Sequence, residues 1–282
     1  MWYTLHVYTT YAWEGSALRI SVGQIATSLD LVANLDKMAK MAEDASRAGS
    51  ALIVFPEASM AAGTDLAEVI TVAEPIDGDF VSALRGIAAR NTIQLVAGVW
   101  EIESGQIFNT CVAIDSDGEV GASYRKVHLY DAFGFRESDH ITPSDNYNGV
   151  TFEAAETTAG LNVCYDLRFP ESARKAVDAG ARVLLLSAAW IPGPEKVEHW
   201  LVLARARAIE NTCFVVAANQ ARPLCTGHSV IVGPSGEVMA ELGESEELVT
   251  ADLDLTRIDS LRAVNPSLAN RRFRVVPDLR DN

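Results

Sequence analysis

The chain has 282 residues, 49% of them hydrophobic and 22% charged. This is the composition of a globular protein with material for a substantial core, and it excludes a largely disordered chain. With 38 acidic against 23 basic residues the formal net charge is −15, which repels phosphate backbones and anionic lipid surfaces; with no run of about 18 apolar residues to span a bilayer, nucleic acid and membrane are set aside as partners.

Residues 1–18, MWYTLHVYTTYAWEGSAL, lack the basic start and continuous apolar middle of a signal peptide and are expected to form an N-terminal extension outside the main fold. Nothing in composition divides residues 19–282, so they are expected to form a single domain. RISVGQI reads as a buried strand, and Leu31, Leu35, Met38 and Ala42 then share one helical face up to about Ala48–Gly49. ALIVFPE is the next strand, with Pro56 stopping its ladder. Phe80, Leu84, Ile87 and Ala88 mark a second amphipathic helix, and IQLVAGVWE a further strand. FNTCVAIDSDGEVGASYRK reads as a hairpin turning at Asp117-Gly118. Leu129 to Tyr147 has little periodicity and is the longest expected loop, a length that marks function inside a compact domain. A strand into Cys164, a helix from about Pro170 to Ala179, the strand VLLLSAA and a long helix from about Val197 to Asn211 follow. CFVVAANQ, the Gly-punctuated hairpin HSVIVGPSGEVMAE and LVTADLDL close the pattern. Helices alternate with strands while hairpins interrupt them. The class is α/β (α+β), with sheets covered by helices and not a plain doubly wound sheet.

Cys111, Cys164, Cys213 and Cys225 include no CxxC pair and no metal-like spacing with histidine, so no metal site is expected. A chain with this much core does not need disulfides, and a reducing cytoplasm is the simpler compartment. Arg271, Arg272 and Arg274 form the one dense basic cluster, read as a docking or solvated segment.

Three reactive side chains share one kind of address. Glu57 follows LIVFP, Lys126 ends GASYRK and Cys164 ends AGLNV, each just beyond a strand's carboxyl end. Rigid strands hold side chains steady there while the loops beyond stay open to a ligand. Their chemistry is coherent. A thiol attacks as thiolate, so a carboxylate can take its proton while an ammonium faces the negative charge that develops. Glu57 would be the base, and Lys126, with a backbone N–H near Tyr165, would face the oxyanion.

LIVFPEASM, YRKVHLYD, GLNVCYDLRFPE and RARAIENTCFVVAANQ resemble, in order, the glutamate, lysine, cysteine and C-terminal motifs of the nitrilase superfamily of carbon-nitrogen hydrolases. The resemblance runs from Arg19 to about Leu255, and residues 1–18 have no counterpart in it. It implies a four-layer αββα sandwich, a homodimer or higher homo-oligomer, and a Glu57, Lys126, Cys164 triad working without metal or organic cofactor. It also implies a second glutamate after the lysine, for which FGFRESD offers Glu137, and a Lys126-to-Glu137 loop shorter than that of the omega-amidase kind. Tyr165-Asp166 after the cysteine is similar to the amidase branches, whereas nitrile-cleaving members carry Trp-Glu. CYDLRFPE is similar to the branch that includes omega-amidase and deaminated glutathione amidase, whose substrates carry a carboxylate. The implied activity is hydrolysis of a small amide through a thioester. An N-carbamoyl amidohydrolase on the same triad, or an idle binding protein of the same fold, is the alternative.

Other residues have two readings each. Arg168 balances a substrate carboxylate or pairs with Asp166 or Glu171, and Glu137 belongs to the site or to a loop surface. Tyr130 and Trp190 are expected to contact substrate, Trp190 both walling the pocket and packing. His128 is read as a structural histidine, since the mechanism already has a base. Cys111 and Cys213 are expected in the core and Cys225 in a loop. His199, Trp200, Arg205, Arg207 and Glu210 are expected to pack and pair.

Overall fold

A computed structural model describes residues 17–277. The expected extension, residues 1–18, therefore lies outside the described residues except for its last two, and Leu18 already opens the first strand. In chain order come β1 (Leu18–Gln24), α1 (Leu31–Arg47), β2 (Leu52–Val54), α2 (Leu66–Val69), α3 (Asp79–Asn91), β3 (Gln94–Glu103), β4 (Gln106–Ile114) and β5 (Val120–Arg125). A small hairpin follows, β6 (Asp131–Ala132) and β7 (Phe135–Arg136). The second half holds β8 (Thr151–Ala154), β9 (Thr157–Val163), α4 (Pro170–Asp178), β10 (Val183–Ala188), α5 (Lys196–Asn211) and β11 (Phe214–Asn219). β12 (Val230–Val232), β13 (Val238–Glu241), β14 (Glu247–Leu253) and α6 (Thr256–Val264) complete it.

Two six-stranded sheets result, in the orders β14-β1-β2-β3-β4-β5 and β13-β12-β11-β10-β9-β8. Each has a parallel centre, β1-β2-β3 in one and β9-β10-β11 in the other, because α1, α3, α4 and α5 carry the chain back between those strands. Hairpins add the antiparallel edges: β4 and β5 turn at Gly118, φ 87°, and β12 and β13 at Gly236, φ 85°. β14 returns from the end of the second sheet to pair with β1, Leu18 opposite Leu253.

The period of two in the strands sorts the core into layers. On β2, Leu52 and Val54 join the cluster shared with the second sheet, whereas Ile53 and Phe55 just beyond it join Met38, Ala42, Leu84 and Ile87 of α1 and α3. β4 repeats this, with Cys111 and Ala113 inward and Val112 and Ile114 toward the helices. Trp200, Ala204 and Ala208 of α5 and Ala173 and Ala176 of α4 cover the second sheet. The layers run helix, sheet, sheet, helix, the αββα sandwich expected. Each fully buried Leu, Ile or Phe contributes roughly 1.5–3 kcal/mol, so the two facing apolar layers hold the sheets in fixed register. At Gly160 a Cβ would lie 2.8 Å from Cβ of Ala176, and the glycine lets α4 settle onto β9.

The expected loop from Leu129 to Tyr147 is more ordered than its sequence suggests. Phe133 and Gly134 both have positive φ, 56° and 83°, which closes the two-residue turn of the β6–β7 hairpin, and a 3-10 turn, Glu137–Asp139, follows it. Strands of two residues are too short to show periodicity. Among the described residues no helix is long and apolar enough to cross a membrane.

Candidate active site

Glu57 stands where β2 has ended. Pro56 offers no N–H to extend the ladder, and the chain rests on β3 at Gly98, whose N–H donates to the Pro56 carbonyl at 3.0 Å. A Cβ on Gly98 would lie 2.5 Å from Cα of Glu57 and 2.7 Å from the Ala58 nitrogen, so only glycine permits this approach. Lys126 is the first residue after β5, its N–H donating to the Asn109 carbonyl at 2.8 Å. Cys164 is the first residue after β9 and opens a 3-10 turn, Cys164–Arg168, with φ 42°, a left-handed conformation that costs a non-glycine residue energy and needs support around it.

Asp166 supplies that support. It accepts from the Val163 N–H at 3.0 Å, the Tyr124 hydroxyl at 2.8 Å and the His128 N–H at 3.2 Å, and its carboxylate lies 2.7 Å from His128 Nδ1. From the other side Arg207 donates Nε and Nη2 to the Leu167 carbonyl at 3.1 and 2.7 Å. His128 also stacks on Phe169 at 3.8 Å. It is occupied as a structural group.

The side chains then converge. Lys126 Nζ donates to Glu57 Oε1 and Glu137 Oε2, both at 2.8 Å. Asn109 Nδ2 bridges the same carboxylates, 2.7 Å to Glu57 and 2.8 Å to Glu137. The Ala189 N–H donates to Glu57 Oε2 at 2.8 Å, and the Tyr130 N–H to Glu137 Oε2 at 2.7 Å. Glu57, Lys126, Glu137 and Cys164 are all buried. Burial works against the ammonium of Lys126, but the charges of Glu137 and Glu57 outweigh it and hold its pKa well above the ordinary value. Burial pushes the Cys164 thiol well up, the Glu57 charge adds to this, and Lys126 opposes it. The Glu57 carboxylate and the Ala189 backbone both act on the sulfur. A neutral thiol beside a carboxylate, with an ammonium facing both, is an arrangement for moving one proton at the moment of attack.

These groups open onto a cavity of about 310 Å³, room for a small ligand. Glu57, Lys126, Glu137, Cys164, Tyr130 and Trp190 all line it. Trp190 also packs at 5.5 Å from Trp200 and donates its indole N–H to the Lys196 carbonyl. Tyr165 follows the cysteine directly, and its ring meets Tyr130 edge-on at 5.1 Å. Arg168 does not line the cavity. Its guanidinium lies 4.8 Å from the Trp190 ring centroid, with Nε and Nη2 buried and unpartnered among the described residues, and pairs with neither Asp166 nor Glu171. Asp166 is already taken by four other groups.

Cys111 and Cys213 lie in the core. Cys225 lies in a loop, as expected, between β11 and β12, and it is buried there and lines the cavity. The loop that carries it is drawn down by the next residue, whose N–H donates to the Trp190 carbonyl at 2.9 Å. Two residues of the site were not singled out from the sequence. Asn109 is one polar residue in the apolar strand IFNTCVAI, and Lys196 is one lysine at the start of an amphipathic helix. A buried polar residue facing the strand ends was the available clue to Asn109. Among the described residues no group of three or more His, Cys, Asp or Glu could hold a metal ion.

A family model described as carbon-nitrogen hydrolase matches residues 19–263. The chain is 36% identical over 263 residues to a hydrolase of Mycobacterium tuberculosis (strain CDC 1551 / Oshkosh), covering 87% of this chain and 92% of that protein. It is 34% identical over 256 residues to the deaminated glutathione amidase of Escherichia coli O157:H7, covering 90% and 97%. Among solved structures, a glutamate-to-glutamine variant of the amidase from Nesterenkonia sp. AN1 superimposes with a TM-score of 0.80 at 31% identity, covering 94% of this chain and 97% of that one. That amidase carries the acetamide moiety of fluoroacetamide covalently on its active-site cysteine.

Proposed function

The chain belongs to the carbon-nitrogen hydrolase family, and from that membership we propose that it hydrolyses the carbon-nitrogen bond of a small linear amide, with Cys164 as nucleophile, Glu57 as base and Lys126 as electrostatic stabiliser. The observation that carries this reading is the contact of one buried ammonium with two carboxylates at 2.8 Å each, beside a buried thiol, in one cavity.

In the forward step Glu57 takes the Sγ proton as the sulfur bonds to the amide carbonyl carbon. Because the resting thiol is held neutral, deprotonation belongs to the attack itself. The carbonyl oxygen gains negative charge and meets the Lys126 ammonium and the Tyr165 backbone N–H. Glu57 returns the proton to the amide nitrogen, the carbon-nitrogen bond breaks, and ammonia or an amine leaves. A thioester joins the acyl group to Cys164. Water then loses a proton to Glu57 and attacks the thioester; the carboxylic acid departs and the proton returns to sulfur. Glu137 and Asn109 fix Lys126 and Glu57 against one another, so the charge is in place before substrate arrives. Trp190 and Tyr130 supply walls for the substrate.

The covalent adduct on the active-site cysteine of the Nesterenkonia amidase supports the nucleophile assignment. All four thiols are unpaired, which suits the reducing cytoplasm of this reading, and a homodimer or higher homo-oligomer completes it. The test is ammonia release from a panel of small primary amides. Wild type is expected to release ammonia and carboxylate in equal amounts without carbon dioxide, and Cys164→Ala to release none. Ammonia release persisting in Cys164→Ala would overturn the assignment, and carbon dioxide released with the ammonia would move the substrate to a ureido compound.

A further inference from the structure

A second cavity of about 340 Å³ shares no lining residue with the first, and the reaction described above makes no use of it. Its wall is built from neighbours of the catalytic residues: Val127 and His128 follow Lys126, and Asn162 stands two residues before Cys164. The imidazole of His128 has Nδ1 taken by Asp166 at 2.7 Å, with the Ser172 hydroxyl 3.3 Å away, and its Nε2 has no partner among the described residues. Glu171 and Lys175 stand one turn apart on α4 and both line the cavity. A glutamate four residues before a lysine is the favoured order for a helical ion pair, and α1 does form its pairs at this spacing, Lys40 with Asp44 and Glu43 with Arg47. Glu171 and Lys175 pair neither with each other nor with any other charge among the described residues.

An unpaired acid, an unpaired base and a free imidazole nitrogen around one cavity are complementary to a ligand that carries both signs. A ligand of one sign is repelled by either Glu171 or Lys175. Val127, Leu161 and Val275 add apolar surface to the same wall. Apolar surface with a few polar groups that fix orientation is the usual constitution of a small-molecule site.

We propose that this cavity is a second binding site, for a free α-amino acid with an aliphatic side chain, and that its occupant is an effector of the first site. Lys175 and His128 meet the carboxylate, Glu171 meets the ammonium, and the apolar wall takes the side chain. The route to Cys164 is short. His128 lies on the Asp166 carboxylate that also accepts from the Val163 N–H and the Tyr124 hydroxyl, and that carboxylate supports the left-handed turn at Cys164, φ 42°. A ligand bonded to His128 binds best where this support is intact, so it shifts the chain toward the state that presents the sulfur. The coupling rests on the amide hydrolysis proposed above; the binding does not.

Calorimetry on the wild-type protein with L-leucine, 4-methylpentanoate and 3-methylbutylamine tests the site, since the second lacks the ammonium and the third the carboxylate. Leucine is expected to bind once per chain, about tenfold or more tighter than either analogue. Glu171→Gln should reduce its advantage over 4-methylpentanoate to about threefold or less, and Lys175→Met its advantage over 3-methylbutylamine, with circular dichroism confirming that both variants fold. Absence of leucine binding at about 10 mM, or binding that neither substitution weakens, overturns the site. Leucine should also raise kcat for ammonia release from small primary amides by about twofold or more in wild type and leave that of Lys175→Met unchanged. Binding with an unchanged wild-type kcat overturns the effector role. Ammonia release from no amide overturns the hydrolase reading and the effector role together, while the calorimetry still decides the binding site.

Discussion

Lys126 is the residue on which the site's charge turns, held between Glu57 and Glu137 at 2.8 Å each and buried with them. Replacing it by methionine removes the group proposed to meet the oxyanion and leaves two buried carboxylates facing one another. A single oxyanion donor is worth about 3–4 kcal/mol in the barrier, so Lys126→Met is expected to lower kcat by about two to three orders of magnitude, measured against a folded control by circular dichroism. Glu137→Gln removes one of the two carboxylates and keeps the shape. Its kcat is expected to fall by a smaller factor, about tenfold or more, with iodoacetamide still alkylating Cys164; an unchanged kcat would show that Glu137 does not position Lys126 for the reaction. Glu57, Lys126 and Cys164 were legible because each ends a strand and carries chemistry the other two need. Asn109 and Lys196 were not. Their meaning lies in partners far along the chain, Glu57 at a separation of 52 residues and Tyr130 at 66, and no local pattern reports such pairs.

The elements work through close backbone approach. Gly98 on β3 supports the turn that presents Glu57, and a methyl there would meet backbone, not a side chain able to swing away. Gly98→Ala is expected to destabilise by about 1–3 kcal/mol, as overpacking does, and to lower kcat by displacing Glu57. Gly121→Ala on β5 is the control, because its nearest neighbour would be the Ala113 carbonyl at 3.9 Å. Urea midpoints and kcat measured on both variants check this, and equal losses would contradict the role given to Gly98. Helices α1, α3, α4 and α5 and the two long hairpins were legible from periodicity and from glycine at the turns. The β6–β7 hairpin was not, because its ladder is a pair of two-residue strands and its turn includes a phenylalanine at positive φ. That the loop residue Cys225 lines the cavity was not legible for a related reason: loop composition does not say that a backbone hydrogen bond to Trp190 folds the loop inward.

In the whole molecule the sandwich itself assembles the site, since Glu57 and Lys126 follow strands of the first sheet and Cys164 follows a strand of the second. The same packing buries all four thiols. Burial raises Cys111 and Cys213 to about 12 and moves Cys164 and Cys225 in the same direction. Unfolded thiols ionise near 8.5, so above that pH the native state binds more protons than the unfolded one and stability falls as pH rises. The slope is up to about 1.4 kcal/mol per pH unit for each thiol. Unfolding free energy should be flat in this respect below about pH 8 and decline between pH 9 and 11, and Cys213→Ala should flatten the decline. A stability that rises across that window would contradict the burial of these groups. In the proposed reaction residues from two sheets act on one carbonyl carbon through sulfur. Intact mass and peptide mapping of Glu57→Gln after incubation with a small primary amide test it most directly: the prediction is an acyl group on Cys164 and on no other cysteine, and an unmodified Cys164 or an adduct on Cys225 would contradict it.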